Sequence, residues 1–153
     1  MPHGAVYAAR NADGLAGVAA WLPSDTDDAP PGRRARLCAT TVRMLYPRTG
    51  GKLFVGFEGL AALHPHEPHW YLMFVGVEPA LQSGGVGAAL LAPVLERSDA
   101  ERVLCYLETP FEQTHTFYRR LGFELGSESK PFEGPAPVWT MTRAPRPGGR
   151  TGS

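Results

Sequence analysis

An unbroken apolar strand followed by a glycine-rich turn is the feature that most constrains how this chain can fold. The run from Trp70 to Val77 is apolar, aromatic and β-branched, which is typical of a strand buried on both faces of a sheet. Pro79 ends the strand, and the turn Gln82-Ser83-Gly84-Gly85-Val86-Gly87-Ala88 leads into an apolar stretch that predicts a helix over residues 88–97. A strand, a glycine turn and a helix in this order predict an α/β arrangement.

The glycine turn is suited to binding an anion. Glycines allow the backbone to curl so that successive N–H groups point into one concavity, and the positive end of the following helix faces the same place. A pyrophosphate is the natural ligand of such a site. The order Gly84-Gly85-Val86-Gly87 lacks the third glycine of a dinucleotide-binding fingerprint, and the Gly-Lys-Ser/Thr of a P-loop is missing. Binding of ATP or NAD by this turn is therefore the weaker alternative.

Further strands and helices are predicted around this unit. Apolar runs on both sides of Asn11-Ala12-Asp13-Gly14 predict a β-hairpin. Pro93 is expected to kink the helix after the glycine turn. The remaining elements are predicted from apolar runs and periodicity: helices over residues 33–46, 53–63 and 112–121, and strands over residues 103–107, 123–125 and 138–142. We expect a central parallel pair of strands with antiparallel hairpins at the edges.

Length and composition fit an ordinary globular protein. The 153 residues suit one domain, which we expect over residues 1–143, with a disordered tail over residues 144–153. Fifteen basic and fifteen acidic residues balance, so no charge excess points to nucleic acid or to an anionic membrane surface. The apolar runs are too short for a bilayer, and no secretory signal is evident, so a cytoplasmic location is expected. The two cysteines, Cys38 and Cys105, do not form a disulfide or zinc framework.

Two motifs resemble the GNAT N-acetyltransferase superfamily. The sequence Val75-Gly76-Val77-x-Pro79-x-x-Gln82-x-x-Gly85-x-Gly87 resembles its acetyl-CoA-binding motif, and the run Phe117 to Phe123 resembles its closing helix motif. The segments 107–109 and 137–142 resemble, more narrowly, its puromycin N-acetyltransferase-like actinobacterial members. The resemblance covers about His64 to Thr142. It implies the α/β (α+β) GNAT acyl-CoA N-acyltransferase fold, a mixed central sheet with splayed parallel strands and flanking helices.

The resemblance also implies a binding site for acetyl-CoA as cosubstrate. Val75 and Val77 would offer backbone groups to the pantetheine arm, and Gly76 would mark a bulge where the strand splays from its neighbour. The turn Gln82 to Ala88 would hold the pyrophosphate through main-chain N–H groups. Thr114 stands where the family often has an asparagine that contacts CoA or the turn. The implied cofactor residues are thus Val75, Gly76, Val77, Gln82, Ser83, Gly84, Gly85, Val86, Gly87, Ala88 and Thr114.

Two catalytic side chains are expected. The resemblance implies that Tyr118 protonates the leaving CoA thiolate, and a phenol that stays protonated at neutral pH suits that role. Glu108 follows a buried strand where the parallel pair should splay, so it is a candidate to accept the proton of the amine, directly or through water. A carboxylate that caps a turn is the alternative for Glu108. His115 is a second candidate base, although a solvated helix face is the favoured interpretation of that residue.

The function implied is transfer of an acetyl group from acetyl-CoA to a primary amine of a small molecule or peptide, by direct attack in a ternary complex. The alternative is a non-catalytic acyl-CoA-binding or regulatory module, because relatives usually begin with a further strand and one or two helices that are expected to be missing here. The apolar sheet surface left by that shorter front would suit a homodimer. The segment His64-Pro65-His66-Glu67-Pro68-His69 carries metal-binding side chain types, but no metal site is expected, since its prolines hold it extended.

Overall fold

A six-stranded sheet in the order β1-β2-β3-β4-β6-β5 organises the protein in the computed structural model, which describes residues 4–24, 60, 62–130 and 137–147. The strands are β1 Ala5–Asn11, β2 Gly14–Pro23, β3 His69–Val77, β4 Leu104–Thr109, β5 Glu124–Ser129 and β6 Val138–Arg143. The helices are α1 Val86–Glu101 and α2 His115–Arg120, and short 3-10 turns at Pro79–Leu81 and Glu112–Thr114 precede them. The helix predicted over residues 33–46 lies outside the described residues, as does most of that predicted over 53–63.

The pairing of the strands confirms the predicted mixed sheet. Strands β1 and β2 form the antiparallel hairpin expected around Gly14, whose positive φ of 133° suits glycine. Strand β4 pairs antiparallel with β6, and β6 pairs antiparallel with β5. The parallel pair lies in the centre and consists of β3 and β4. The antiparallel hairpins therefore lie at the two edges of the sheet, as predicted.

Helix α1 covers one face of the sheet and provides much of the core. Its residues Leu91 and Val94 are fully buried, and they belong to one cluster with Trp70, Leu107 and Met141 of the sheet. Burying apolar side chains of this size contributes about 2 kcal/mol each. The cluster fixes the position of α1, and with it the glycine turn from which the helix begins.

Two further residues, Pro93 and Cys105, lie on opposite sides of the boundary between solvent and this core. Pro93 lies inside α1 on its exposed side, so water is able to hydrate the Ala89 carbonyl that lacks its helical donor. Cys105 is buried in the core cluster, and burial raises the pKa of its thiol to about 11. Both facts keep the Cys105 thiol unreactive, because the thiolate is the reactive form.

Strand β3 is buried on both faces only in its first part, so that prediction is wrong for its second part. Met73 and Phe74 are 40% and 56% exposed. Trp21 of β2 pairs with Leu72 and Ala20 pairs with Phe74, so Met73 is the extra residue of a β-bulge. The prediction depended on an unbroken apolar run, and such a run does not show where an irregularity in the pairing leaves apolar side chains exposed.

Gly76 is not the bulge, and that prediction is also wrong. Gly76 pairs in register with Val18 of β2, three residues beyond Met73. A Cβ atom at Gly76 would approach Cζ of the Phe74 ring to 2.8 Å, which is closer than real Cβ contacts allow. The exposed Phe74 ring lies over this glycine and would have to move to admit a larger residue.

Candidate active site

Strands β3 and β4 separate in the middle of the sheet. Their register runs only from His69 opposite Leu104 to Tyr71 opposite Tyr106, although β3 continues to Val77 and β4 continues to Thr109. Two parallel strands that pair only at their beginnings enclose an open cleft between their carboxyl halves. The splayed parallel pair expected from the sequence is confirmed.

The bulge at Met73 turns peptide groups of β3 towards this cleft. Before the bulge, the His69 carbonyl accepts a hydrogen bond from the end of β2 (2.8 Å), whereas after it the Glu78 N–H donates to β2 (2.9 Å). Residues that bond to a given neighbouring strand alternate along an antiparallel ladder. The backbone N–H and C=O groups of odd-numbered residues of β3 therefore face β2 before the bulge, and those of even-numbered residues do so after it. Consequently, Val75 and Val77 direct their N–H and C=O groups towards the cleft.

The glycine turn lies at the end of β3 and is exposed. Ser83 and Gly85 have positive φ values of 64° and 86°, and Gly85 is the N-cap of α1. The first helical hydrogen bond runs from the Ala89 N–H to the Gly85 carbonyl (3.0 Å), so the N–H groups of the preceding first turn have no helical acceptor. These donors and the positive end of the helix dipole form a site for an anion such as a phosphate group.

Side chains join the turn to β3 and to α2. The Gln82 side-chain amide donates to the Val77 carbonyl (3.2 Å), which holds the start of the turn against the end of β3. A Cβ atom at Gly87 would lie 3.1 Å from Cζ of Phe117 and 3.7 Å from Cγ2 of Val77. The glycine therefore lets α1 approach α2 closely. Helix α2 carries Tyr118, so the proposed acid belongs to an element packed against the anion site.

Tyr118 is buried between aromatic rings. Its ring centroid lies 5.1 Å from that of Phe117 and 5.8 Å from that of Phe123. Burial raises the pKa of Tyr118 to about 12. The phenol is therefore fully protonated at neutral pH, as a general acid must be before it donates.

Residues at the start of α2 are engaged within the protein. The Thr114 hydroxyl donates to the Phe111 carbonyl (2.7 Å) and lies 3.0 Å from the Thr109 hydroxyl, so it secures the turn before α2. His115 is buried, and its ring packs edge-on against Trp139 at a centroid distance of 5.0 Å. The expectation that His115 lies on a solvated helix face is therefore wrong. Its Nε2 atom has no hydrogen-bond partner among the described residues.

Glu108 lies inside β4, opposite Thr140 of β6, so it does not cap a turn. Its side chain is only 5% exposed, and its Oε1 atom lies 3.1 Å from Nε2 of His64, within ion-pair distance but off the line of a directed hydrogen bond. Burial raises the pKa of the neighbouring Tyr106, and the charge of Glu108 raises it further. Glu108 is therefore a buried carboxylate beyond the last paired residues of β3 and β4, at the opening of the cleft.

His64 was missed as a site residue by sequence reasoning, which treated residues 64–69 as an extended loop. Its ring packs against the rings of Tyr71 and Tyr106 at centroid distances of 4.5 and 4.7 Å. The sequence offered one signal for His64, the position of its loop, which leads directly into the β3 residues that pair with β4.

Among the described residues, no three His, Cys, Asp or Glu side chains are grouped as metal ligands. No described helix has the length and apolar character needed to cross a membrane.

A cleft between splayed parallel strands, with peptide groups turned into it and an anion site at its end, defines an acyl-CoA-binding α/β fold. A comparison with protein families bears this out, since the acetyltransferase (GNAT) domain matches residues 48–125, just over half of the chain. The chain belongs to this family of acyltransferase enzymes. Acetyl-CoA is the acyl donor of the family, which agrees with the cofactor expected from the sequence.

Solved structures show the same fold. A structure from Corynebacterium glutamicum described as histone acetyltransferase HPA2 and related acetyltransferase is 26% identical, with a TM-score of 0.62; the match covers 94% of this chain and 65% of that one. An agmatine N-acetyltransferase is 14% identical, with a TM-score of 0.66, over 91% of this chain and 73% of that one. A Bacillus anthracis acetyltransferase in complex with acetyl coenzyme A is 13% identical, with a TM-score of 0.59, over 94% of this chain and 64% of that one.

Proposed function

We propose that this chain is an N-acetyltransferase that moves the acetyl group of acetyl-CoA to a primary amine by direct attack in a ternary complex. The observation that carries the proposal is the cleft between β3 and β4, into which Val75 and Val77 turn their peptide groups next to the exposed glycine turn. Holding amine and thioester in one cleft supplies much of the acceleration through proximity.

The cofactor would bind along the cleft from the glycine turn inwards. The pyrophosphate would accept hydrogen bonds from the main chain of Gln82 to Ala88, and the pantetheine amides would pair with the peptide groups of Val75 and Val77. Gln82 supports this placement, because its side chain already bonds to the Val77 carbonyl and so fixes the turn relative to the strand. A backbone N–H near Val77 would polarise the thioester oxygen as charge develops on it.

Two side chains would handle protons. Glu108 would take a proton from the bound ammonium group, after which the free amine attacks the thioester carbonyl and the C–S bond breaks. Tyr118 would give its proton to the departing thiolate, and the second proton lost by the nitrogen as the amide forms would restore the phenol. A buried carboxylate at the opening of the cleft, and a phenol kept protonated by burial, support these assignments.

We infer that the acceptor site belongs to the puromycin N-acetyltransferase-like type of the family. The two segments on which that resemblance rests lie side by side, since Glu108 pairs with Thr140 and Thr109 pairs with Trp139 across β4 and β6. They would form one wall of the acceptor site next to the base. An aminonucleoside with a free primary amine is then an appropriate first acceptor to test, with agmatine and a lysine peptide beside it.

The second candidate function is a non-catalytic module that binds acyl-CoA. It rests on the separation of the two parts of the site: the cleft and the glycine turn would bind acyl-CoA whether or not Glu108 and Tyr118 transfer protons. Titration calorimetry with acetyl-CoA, followed by a thiol-release assay with the three amines, tests both candidates. The enzyme releases CoA with at least one amine, and Tyr118→Phe reduces kcat without loss of acetyl-CoA binding. Binding without release by any amine would establish the module, and absence of binding would exclude both.

A further inference from the structure

A chain of side-chain contacts leads from the buried carboxylate of Glu108 to solvent. Glu108 Oε1 lies 3.1 Å from His64 Nε2, and His64 Nδ1 lies 3.2 Å from His69 Nε2. His69 Nδ1 in turn lies 2.8 Å from the Glu67 carbonyl oxygen. The Glu108 and His69 side chains are almost completely buried, whereas the His64 side chain is 21% exposed. His64 is thus the point at which this series of groups meets water.

The contacts determine how many protons the series holds. A carbonyl oxygen only accepts, so His69 Nδ1 carries a proton. The contact between the imidazoles also needs one proton, because two lone pairs at 3.2 Å repel. Two neutral imidazoles supply these two protons. A third proton, on His64 Nε2, would place a positive charge within ion-pair distance of the Glu108 carboxylate.

We propose that His64 and His69 act with Glu108 as a proton relay that accepts the amine proton and passes it to solvent. This proposal rests on the proposed acetyltransferase function. The ammonium group of the acceptor gives one proton to the carboxylate of Glu108, and His64 Nε2 binds that proton, so that an imidazolium faces the carboxylate. The free amine then attacks the thioester. His64 releases the proton to water at its exposed side, which restores the two-proton form before the next turnover.

The surroundings of His64 favour transfer of a proton over simple packing. Its titratable neighbours among the described residues are Glu108, His69, Tyr71 and Tyr106, which come from β3 and β4. None of these carries a fixed positive charge that would oppose protonation of the ring. The rings of Tyr71 and Tyr106 hold the imidazole in place. His64 and His69 therefore act as positioning residues through Glu108, which is the group expected to meet the amine.

Variants separate the relay from a packing role. His64→Phe keeps an aromatic ring among the tyrosines but removes both nitrogens, and we expect kcat/KM at pH 7 to fall by about 10- to 100-fold. The KM for acetyl-CoA should stay unchanged. The deficit should shrink as pH rises, because more of the amine is then already deprotonated. His66→Asn is the matched control, since His66 is an exposed histidine of the same loop. A His64→Phe enzyme with the parental pH profile would overturn the relay.

A second measurement does not depend on turnover. In the full chain labelled with ¹⁵N-histidine, the ring nitrogen shifts of His64 and His69 should change together over one pH interval, as expected for coupled sites. Glu108→Gln should change the ring nitrogen shifts of both histidines, because the group that exchanges a proton with His64 is altered. Independent changes of the two rings, unaffected by Glu108→Gln, would refute the relay. If instead no amine is acetylated but the rings titrate together, the acetyltransferase function fails while the proton-sharing series stands.

Discussion

Arg143 donates two parallel hydrogen bonds to Asp99, from Nη1 to Oδ1 at 2.7 Å and from Nη2 to Oδ2 at 2.8 Å. The guanidinium is 3% exposed, and its Nε atom also donates to the Leu121 carbonyl (3.0 Å). One side chain of β6 therefore fixes the C-terminal half of α1 and the end of α2. Since α1 and α2 carry the anion site and Tyr118, this contact stabilises the arrangement of the proposed active site.

The first prediction concerns removal of the carboxylate charge. Asp99→Asn leaves the buried guanidinium of Arg143 without its counter-charge, so we expect the free energy of unfolding to fall by about 2 kcal/mol. Urea unfolding followed by circular dichroism measures the change. Asp13→Asn in the exposed β1–β2 turn is the control and should alter stability little. Equal stability of the two variants would show that the buried pair contributes nothing.

The second prediction is the pH dependence of the same contact. The hydrogen bonds from Arg143 lower the pKa of Asp99 in the folded state, below the ordinary value of 3.8. A lowered folded pKa gives stability that is present above the unfolded pKa and is lost as pH falls through the folded one. The difference in unfolding free energy between the parent and Asp99→Asn should therefore be constant above about pH 5 and shrink below about pH 4. A difference that persists at pH 2 would contradict this assignment.

The third prediction tests the conformation of the glycine turn. Gly85 has a φ of 86° and open space around a Cβ atom, and Gly14 combines a φ of 133° with open space in the distant hairpin. Alanine at either site should cost about 1 kcal/mol of stability through backbone strain. Only Gly85→Ala should weaken binding of acetyl-CoA, by roughly tenfold, because relief of the strain turns N–H groups away from the phosphates. Calorimetry on both variants measures the affinities, and equal affinities would exclude this turn as the cofactor site.

The fourth prediction concerns the alkaline side of the pH profile. Since burial raises the pKa of Tyr118 to about 12, its proton is retained throughout the range in which the enzyme can be assayed. The parent should show no loss of kcat assignable to Tyr118 below about pH 10. Tyr118→Phe should lower kcat by about 100-fold at every pH in that range. Tyr7→Phe on β1 is the control, and a parental kcat in Tyr118→Phe would remove the phenol from the mechanism.

Much of the fold could be predicted because the local patterns agree with the tertiary structure. The strand at residues 70–77 and the hairpin at Gly14 were both evident from residue types, and both are present in the structure. The turn from Gln82 to Ala88 was found in the same way. These features depend on a few adjacent residues, so the sequence alone is sufficient to locate them.

The features that were missed depend on contacts between distant segments. No local pattern places His64 beside Glu108, or buries His115 against Trp139, because these contacts form only when β4 and β6 align with other elements. The bulge was assigned to Gly76 because glycine is a common bulge residue, whereas the pairing of β2 with β3 places it at Met73. Propensity indicates where a bulge is permitted, and the register decides where it forms.

Met73 determines which way the second half of β3 faces. Val75 and Val77 face the cleft because one extra residue changes the parity of β3 between its two halves. If every residue of β3 paired regularly with β2, the same valine peptide groups would turn towards β2, even though every chemical group of the site would still be present. The proposed acyl-donor site therefore depends on a one-residue shift in register, and substitutions that keep this shift should preserve its orientation.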